Sequence, residues 1–199
     1  MNQIFLFLAS LANVALFVTF YLGWRIEDAG LLSEAALRQT SMHFQFALAS
    51  ASFALLVHAV VLTYFMGTGR WIQETTEAYR FQAAASDQNI RLKYRVLPGM
   101  MACLLLIIVT CAFGAIADPA SNAQMEHSAT IHLTLALATV IINLLVSVLQ
   151  YNAILKNTAL VDLVYRNVLK VRQERGLDSP TAVDSPAATH TEQQDERGT

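Results

Sequence analysis

The fold of this chain is decided by residues 43–66, which read HFQFALASASFALLVHAVVLTYFM. This stretch contains no Asp, Glu, Lys or Arg, and as a helix it is long enough to cross the bilayer core of about 30 Å. Three other stretches share this composition and length, namely residues 3–23, 98–117 and 128–150. The sequence therefore predicts an all-α polytopic membrane protein whose residues 1–150 form a bundle of four transmembrane helices.

The composition of the whole chain agrees with this class. Of its 199 residues 55% are hydrophobic and only 14% are charged, whereas a typical soluble domain carries about 25% charged residues. The net charge of −2 offers no basic surface for phosphate groups, which excludes a nucleic-acid-binding protein. The lipid bilayer is thus the first partner that the sequence predicts.

The distribution of Lys and Arg predicts the orientation in the membrane. Five of these residues lie within 67–97 and five within 151–175, whereas only two lie within 24–42 and none within 118–127. Because cytoplasmic loops carry the excess of Lys and Arg, we expect both termini and the middle loop to be cytoplasmic. The predicted location is a bacterial-type inner (cytoplasmic) membrane, crossed four times.

The segment between the second and third spans is expected to hold a cytoplasmic amphipathic helix. Gly67-Thr68-Gly69 permits a break after the second span, and residues 70–85 then mix apolar and polar positions at helical spacing, which is typical of a helix lying along a leaflet. Ser86 offers an N-cap for a further helical piece. Pro98 suits the first turn of the third span, where its missing N–H costs little.

After the fourth span, the helix is predicted to continue as a C-terminal helical extension over residues 151–175. A stripe of residues at spacings of three and four, all apolar except Asn157, recurs there and is formed by Ile154, Asn157, Val161, Val164, Val168 and Val171. This stripe is too short for a stable isolated coiled coil. We expect residues 154–171 to pack against the cytoplasmic helix, another subunit of a membrane complex or a second copy. Residues 176–199 are polar and predicted to be disordered.

Histidine side chains inside the membrane are the candidate functional groups. At about 100° per residue, His43 and His58 share one broad face of the second span, and His132 and Asn143 share one face of the fourth. Aligning the outer ends of these spans places His58 level with Asn143. We therefore expect a structural hydrogen bond between His58 and Asn143 that fixes the register of the two helices.

The two remaining intramembrane histidines lie near the outer face. His43 and His132 would approach each other from separate helices, and two facing neutral imidazoles are the ligands that a b-type haem needs. In this placement the chain resembles a small membrane cytochrome b, although it lacks the doubled histidine pair of the larger members. The resemblance covers two spans and implies haem b as a cofactor, bound by His43 and His132.

A metal site is an alternative interpretation of the outer face. Met42 and His43 on one side, and Met125 and His127 on the other, combine thioether and imidazole ligands, a set that favours copper. However, His127 and His132 are about 140° apart on a helix, so both cannot face one site without distortion. No spacing among these residues is diagnostic of a metal.

No catalytic motif of a known hydrolase, kinase or thiol oxidoreductase occurs in the chain, and the spans contain no carboxylate for proton-coupled transport. An enzyme is therefore the weaker expectation. The sequence favours a small, non-catalytic accessory or structural subunit of a membrane complex. The alternative is an electron-transfer subunit with one b-type haem held by two histidines near the outer face.

Overall fold

The computed structural model describes residues 1–26, 33–118, 121–123 and 125–177, and within these ranges its regular secondary structure is all helical, with no strand. Its helices are, in chain order, α1 (Asn2–Trp24), α2 (Glu34–Tyr79), α3 (Ala84–Ala117) and α4 (Ser128–Glu174). All four are long and apolar enough to cross a membrane. The predicted class, an all-α protein with four candidate transmembrane helices, is confirmed.

Small and apolar residues form the interior where the helices meet. Phe5, Ala54, Val61 and Phe65 are at most 1% exposed and belong to one core cluster with Ile107 of α3 and Ile154 of α4. The perimeter is also apolar, and side chains such as Phe7 and Leu48 are at least 60% exposed. A soluble monomer rarely exposes apolar surface of this extent, so the perimeter is suited to contact with lipid.

The chain divides into two compact units, residues 1–164 and 165–199. The first contains α1 to α3 and α4 as far as Val164. The described part of the second is the end of α4 and three following residues. There Gly176 has a φ of +67°, and the N–H of Leu177 bonds to the carbonyl of Arg172, a common way to end a helix. The predicted disordered tail, residues 176–199, lies outside the described residues from 178 onward.

The predicted separate amphipathic helix over residues 70–85 is wrong. α2 continues through Gly67-Thr68-Gly69 to Tyr79, and the chain reverses at Arg80, whose φ of 55° is left-handed. The reason lies in the environment of Gly69, because a Cβ atom there would lie 2.6 Å from Oδ1 of Asn89. This glycine therefore serves a close approach of α3 to α2 rather than a break in α2.

The predicted helix start at Ser86 and the predicted role of Pro98 also need correction. α3 begins at Ala84 and continues past Pro98 without interruption, so the proline lies inside the helix. Its ring nitrogen cannot donate the hydrogen bond that would reach the carbonyl of Tyr94, four residues earlier. The buried residues Val96 and Met100 flank it, and their packing in the core compensates for the missing bond.

The two helix pairs α1–α2 and α3–α4 bury corresponding residues. In α1 and α3 the matching positions are 91 apart (5 to 96, 16 to 107), and in α2 and α4 they are 89 apart (50 to 139, 65 to 154). The buried pairs are Phe5/Val96, Ala9/Met100, Ala12/Cys103, Leu16/Ile107, Ser50/Thr139, Ala54/Asn143, Val57/Val146, His58/Ser147 and Phe65/Ile154. The membrane part thus consists of two similar helical hairpins.

Candidate functional site

His43 of α2 is held against the C-terminal part of α1. Its Nδ1 lies 3.1 Å from the carbonyl oxygen of Thr19, and because a carbonyl only accepts, Nδ1 carries the proton and donates. Gly23 makes this contact possible, since a Cβ atom at that position would lie 2.7 Å from Cε1 of the imidazole. The imidazole therefore lies directly on the backbone of α1.

His132 of α4 repeats this arrangement on α3. Its Nδ1 donates to the carbonyl of Thr110 at 3.0 Å, and a Cβ atom at Gly114 would lie 2.9 Å from its Cε1. Thr110 and Gly114 have the same spacing of four as Thr19 and Gly23. The two hairpins thus contribute one equivalent histidine each.

The two imidazoles are in contact. Their ring centres are 6.1 Å apart and their planes make an angle of 75°, an edge-to-face arrangement. Imidazoles bound on opposite sides of one metal through bonds of about 2.0–2.1 Å have ring centres roughly 6.3 Å apart. The separation of His43 and His132 thus agrees with two ligands of one metal centre, and it is also the ordinary separation of two rings packed edge to face.

Hydroxyl groups form a polar layer on the inner side of the pair. Oγ of Ser50 lies 2.7 Å from Oγ1 of Thr19, and in the other hairpin Oγ1 of Thr139 lies 2.8 Å from Oγ1 of Thr110. Each hydroxyl also lies within hydrogen-bonding distance of a carbonyl of its own helix. Since a hydroxyl has one proton, one hydroxyl of each pair donates to its partner and the other donates to a helix carbonyl. These bonds fix the threonines whose carbonyls accept from the histidines, so the orientation of each imidazole is supported by a second layer.

The chemistry of the pair fits metal ligation through Nε2. With Nδ1 protonated and bonded to a helix carbonyl, Nε2 of a neutral imidazole carries the free lone pair. The structure gives neither Nε2 a hydrogen-bond partner among the residues it describes. In a histidine that ligates a metal, one ring nitrogen usually binds the metal while the N–H of the other nitrogen donates to a backbone carbonyl or a carboxylate and orients the ring.

His58 has a different environment, deeper in the bundle and almost completely buried. Its Nε2 donates to Oδ1 of Asn143 at 3.0 Å, and its Nδ1 accepts from the side-chain amide of Gln150 at 2.9 Å. Both ring nitrogens are therefore occupied. The structure brings together His58 and Asn143, the residues between which a structural hydrogen bond was expected, and adds Gln150 as a third member.

The same chain of hydrogen bonds reaches α1. The amide nitrogen of Asn143 donates to Oδ1 of Asn13 at 3.0 Å, and Asn13 donates to Oγ of Ser147 at 3.1 Å. We call the set Asn13, His58, Asn143, Ser147 and Gln150 the amide–imidazole network. It joins α1, α2 and α4 through neutral groups only, and Oε1 of Gln150 is its one buried atom without a partner in the described part.

In the part of the chain that the structure describes, no hydrogen bond or ring contact joins Met42, Met125 or His127 to His43, the residues of the alternative copper site. Met42 and Met125 are 46% and 42% exposed, and His127, in a left-handed turn, lies 3.4 Å from the carboxylate of the adjacent Glu126. Within the described ranges no group of three or more His, Cys, Asp or Glu is suited to a metal ion. Of the predicted ligands near the outer face, the structure thus pairs only His43 and His132.

The stripe predicted as a docking surface is partly covered by the chain itself. Ile154, Asn157 and Val164 are at most 2% exposed, and Val164 packs in a cluster with Ile72 and Leu160. Asn157 accepts from Asn89 and donates to the hydroxyl of Thr68. The membrane-proximal part of residues 154–171 therefore contacts α2 and α3 of the same chain.

Sequence reasoning missed the glycines and threonines that position the histidines. A signal was present, because Thr-x3-Gly in α1 is followed by His-x6-Ser in α2, and Thr-x3-Gly in α3 is followed by His-x6-Thr in α4. The two occurrences are Thr19/Gly23/His43/Ser50 and Thr110/Gly114/His132/Thr139. This spaced pattern reveals the repeat in the sequence, whereas the contacts of the threonines and glycines with the imidazoles become evident only in the structure. Comparison of the chain with protein-family models, with curated proteins and with solved structures gives no match.

Proposed function

We propose that this protein is a small, non-catalytic subunit of a membrane redox complex and that it carries one b-type haem between His43 and His132. The observation that carries this proposal is the 6.1 Å separation of the two imidazole rings. His43 and His132 would both bind the haem iron, and two protein ligands would suit electron transfer because they would leave the iron no open position for a substrate. The haem would supply the redox chemistry, and the chain would supply ligands and burial.

The proposal is supported first by the hydrogen bonding and packing of the two histidines. Both are bonded through Nδ1 to helix carbonyls, both rest on a glycine, and neither Nε2 has a hydrogen-bond partner among the described residues. A histidine with a purely structural role would be expected to have both nitrogens bonded, as His58 does. The contrast between His58 and the outer pair is therefore a reason to assign a ligand to the outer pair.

The non-catalytic part of the proposal is supported by the composition of the interior. The buried polar side chains of the described part are amides, hydroxyls and one imidazole, without any Asp, Glu, Lys or Arg. A proton pathway through the membrane would need ionisable groups in succession. We place the protein in a bacterial-type inner membrane with both termini cytoplasmic, because of its distribution of Lys and Arg.

The decisive experiment is an absorption spectrum of the full chain, purified in mild detergent from haem-replete cells, before and after reduction with dithionite. We expect a Soret band and a reduced-minus-oxidised α band. Both should be lost in His43→Ala and in His132→Ala. His127→Ala is the matched control, since this histidine is on the same side of the protein but outside the pair, and it should keep the full spectrum.

The same preparations separate the alternatives. Metal analysis that finds about one copper per chain without a Soret band would overturn the haem and assign the pair to a copper ion. A spectrum without bands and a blank metal analysis would leave the chain as an accessory subunit without a cofactor. In every variant, the circular dichroism at 222 nm should equal that of the wild-type protein. This would show that the loss of haem absorbance is not caused by unfolding.

A further inference from the structure

A groove lined by three cations lies between α3 and α4, at the end of the bundle remote from the histidine pair. Arg91 and Arg95 of α3 and Lys156 of α4 line it together with Leu92 and Leu160, and its volume is about 430 Å³. This volume is within the range of small-molecule sites, about 300–1,000 Å³. The groove therefore combines positive charge at its rim with an apolar wall.

None of these three cations is neutralised by the protein. The structure gives Arg91, Arg95 and Lys156 no ion pair and no hydrogen bond within the residues that it describes, and all three are exposed. By contrast, Arg70 of α2 is paired with Glu74 at 2.7 Å. No acidic side chain lines the groove. Three unpaired like charges that converge on one groove favour an anionic ligand.

The depth of the groove matches the headgroup region of a bilayer. Arg95 is three residues before the apolar stretch that starts at Pro98, and Lys156 is six residues beyond Gln150, which correspond to roughly 5 and 9 Å along a helix. The polar region on each side of a bilayer is about 5–8 Å thick. Arg95 therefore lies at the level of lipid phosphates. The backbones of Lys156 and Arg91 lie a few ångströms beyond this level, and their long side chains can reach back to it. Leu92 and Leu160 line the groove beside them.

The other hairpin provides an internal comparison. A groove of about 560 Å³ on α2 is lined by Met1 and by residues between Leu56 and Thr68, so it overlaps the corresponding place only at Met1 and Gly67. Gly67 is the counterpart of Lys156 under the shift of 89 positions. Under the shift of 91 positions the counterpart of Arg95 is Ile4. Neither counterpart is charged, so the charge of the groove is particular to the second hairpin.

We propose that the groove between α3 and α4 binds the phosphate headgroup of an anionic phospholipid. Arg91, Arg95 and Lys156 contact the phosphate oxygens, and the acyl chains follow the apolar surface of the two helices into the bilayer. Basic pockets between transmembrane helices recognise lipid headgroups in this way. A lipid is favoured over a soluble anion because the groove joins charge at headgroup level to an apolar wall.

The test is native mass spectrometry of the full chain in neutral detergent, titrated with phosphatidylglycerol or with phosphatidylcholine of the same acyl chains. We expect the wild-type protein to bind its first phosphatidylglycerol molecule more than about tenfold more tightly than its first phosphatidylcholine molecule. The variant with Arg91→Gln, Arg95→Gln and Lys156→Gln should lose this preference. Lys156→Gln alone should lower it by about fivefold, which keeps the test decisive if the triple variant fails to fold.

The matched control removes three positive charges from the same end of the protein outside the groove, by Arg70→Gln, Arg80→Gln and Lys93→Gln. It should keep the preference for phosphatidylglycerol, and an equal loss in both triple variants would overturn the site in favour of diffuse attraction. Displacement of the lipid by millimolar inorganic phosphate would assign the groove to a soluble anion. A dimer that only the groove variant dissociates would assign it to a second copy.

Discussion

At the scale of single residues, two glycines determine whether the histidine pair can exist. Gly23 and Gly114 bring the imidazoles of His43 and His132 onto the helix carbonyls, and a methyl group at either position would come within 3 Å of a ring carbon. The ring would have to move, and the bond from Nδ1 to the carbonyl would be lost with it. The candidate site is therefore specified by residues without side chains as well as by its ligands.

We predict that Gly23→Ala or Gly114→Ala destabilises the protein by about 1–3 kcal/mol, the usual cost of overpacking, and removes any bound haem. The free energy of unfolding in detergent and the Soret absorbance measure the two effects. Gly67→Ala is the control, because no atom lies within 4 Å of the added Cβ. Since alanine is the better helix former by about 1 kcal/mol, the control should be neutral or stabilising.

Helical geometry correctly predicted which residues lie on facing sides of neighbouring helices, but it did not predict their individual contacts. The rotation of about 100° per residue was sufficient to place His58 opposite Asn143 and His43 near His132. It could not identify Gln150 as the second partner of His58, or Thr19 and Thr110 as acceptors. Those contacts depend on interhelical distances of a few ångströms, which are set by packing of the whole bundle and are not encoded in the spacing of one helix.

At the scale of helices, the amide–imidazole network joins α1, α2 and α4 at one level. Asn143 is its centre, since it accepts from His58 and donates to Asn13. We predict that Asn143→Leu destabilises the protein by about 1–3 kcal/mol, because the buried imidazole N–H of His58 and the partly buried amide oxygen of Asn13 both lose their partner. Equilibrium unfolding in mixed micelles measures the change.

Asn152→Leu is the matched control for this prediction. It is the same substitution on the same helix, at an exposed position, and we expect a change within about 0.5 kcal/mol. Equal destabilisation by both variants would mean that the loss of an amide from α4, and not the network, is responsible. A negligible effect of Asn143→Leu would show that the network contributes no net stability.

Helix ends were the least predictable feature at this scale. Gly67-Thr68-Gly69 and Pro98 are typical helix breakers, but α2 and α3 run through them. In each case tertiary packing overrides a local preference of the order of 1–3 kcal/mol. Asn89 fills the space that Gly69 leaves, and its side chain reaches Asn157 at 2.6 Å. Such a partner lies in another helix, so the sequence around Gly69 gives no indication of it.

At the scale of the whole molecule, the asymmetric distribution of Lys and Arg makes a topological prediction. In a variant without Cys103 and Cys111, we expect a single cysteine at Asn122 to react with a membrane-impermeant maleimide in intact cells. A single cysteine at Gln82, in the turn between α2 and α3, should react only after the cells are opened. Both positions are exposed, so accessibility within the protein does not differ.

The opposite labelling pattern would place the turn between α2 and α3 outside and reverse the proposed orientation. It would also move the histidine pair to the cytoplasmic side and the cationic groove to the outer leaflet. Labelling of both positions in intact cells would contradict a fixed topology. The total accessible thiol after solubilisation in detergent is the reference for each variant.

The length of α2 has a consequence for the partners of this protein. From His43 to Tyr79 the helix rises by roughly 54 Å, which exceeds the diameter of a small domain, about 30 Å. One compact partner therefore cannot touch both the imidazole pair and the reversal at Arg80. Electrons that enter or leave at the pair would have to be exchanged with a protein on that surface of the membrane, while the far end of α2 is free to hold a different neighbour. The protein would then hold two small partner proteins apart, one at each end of α2.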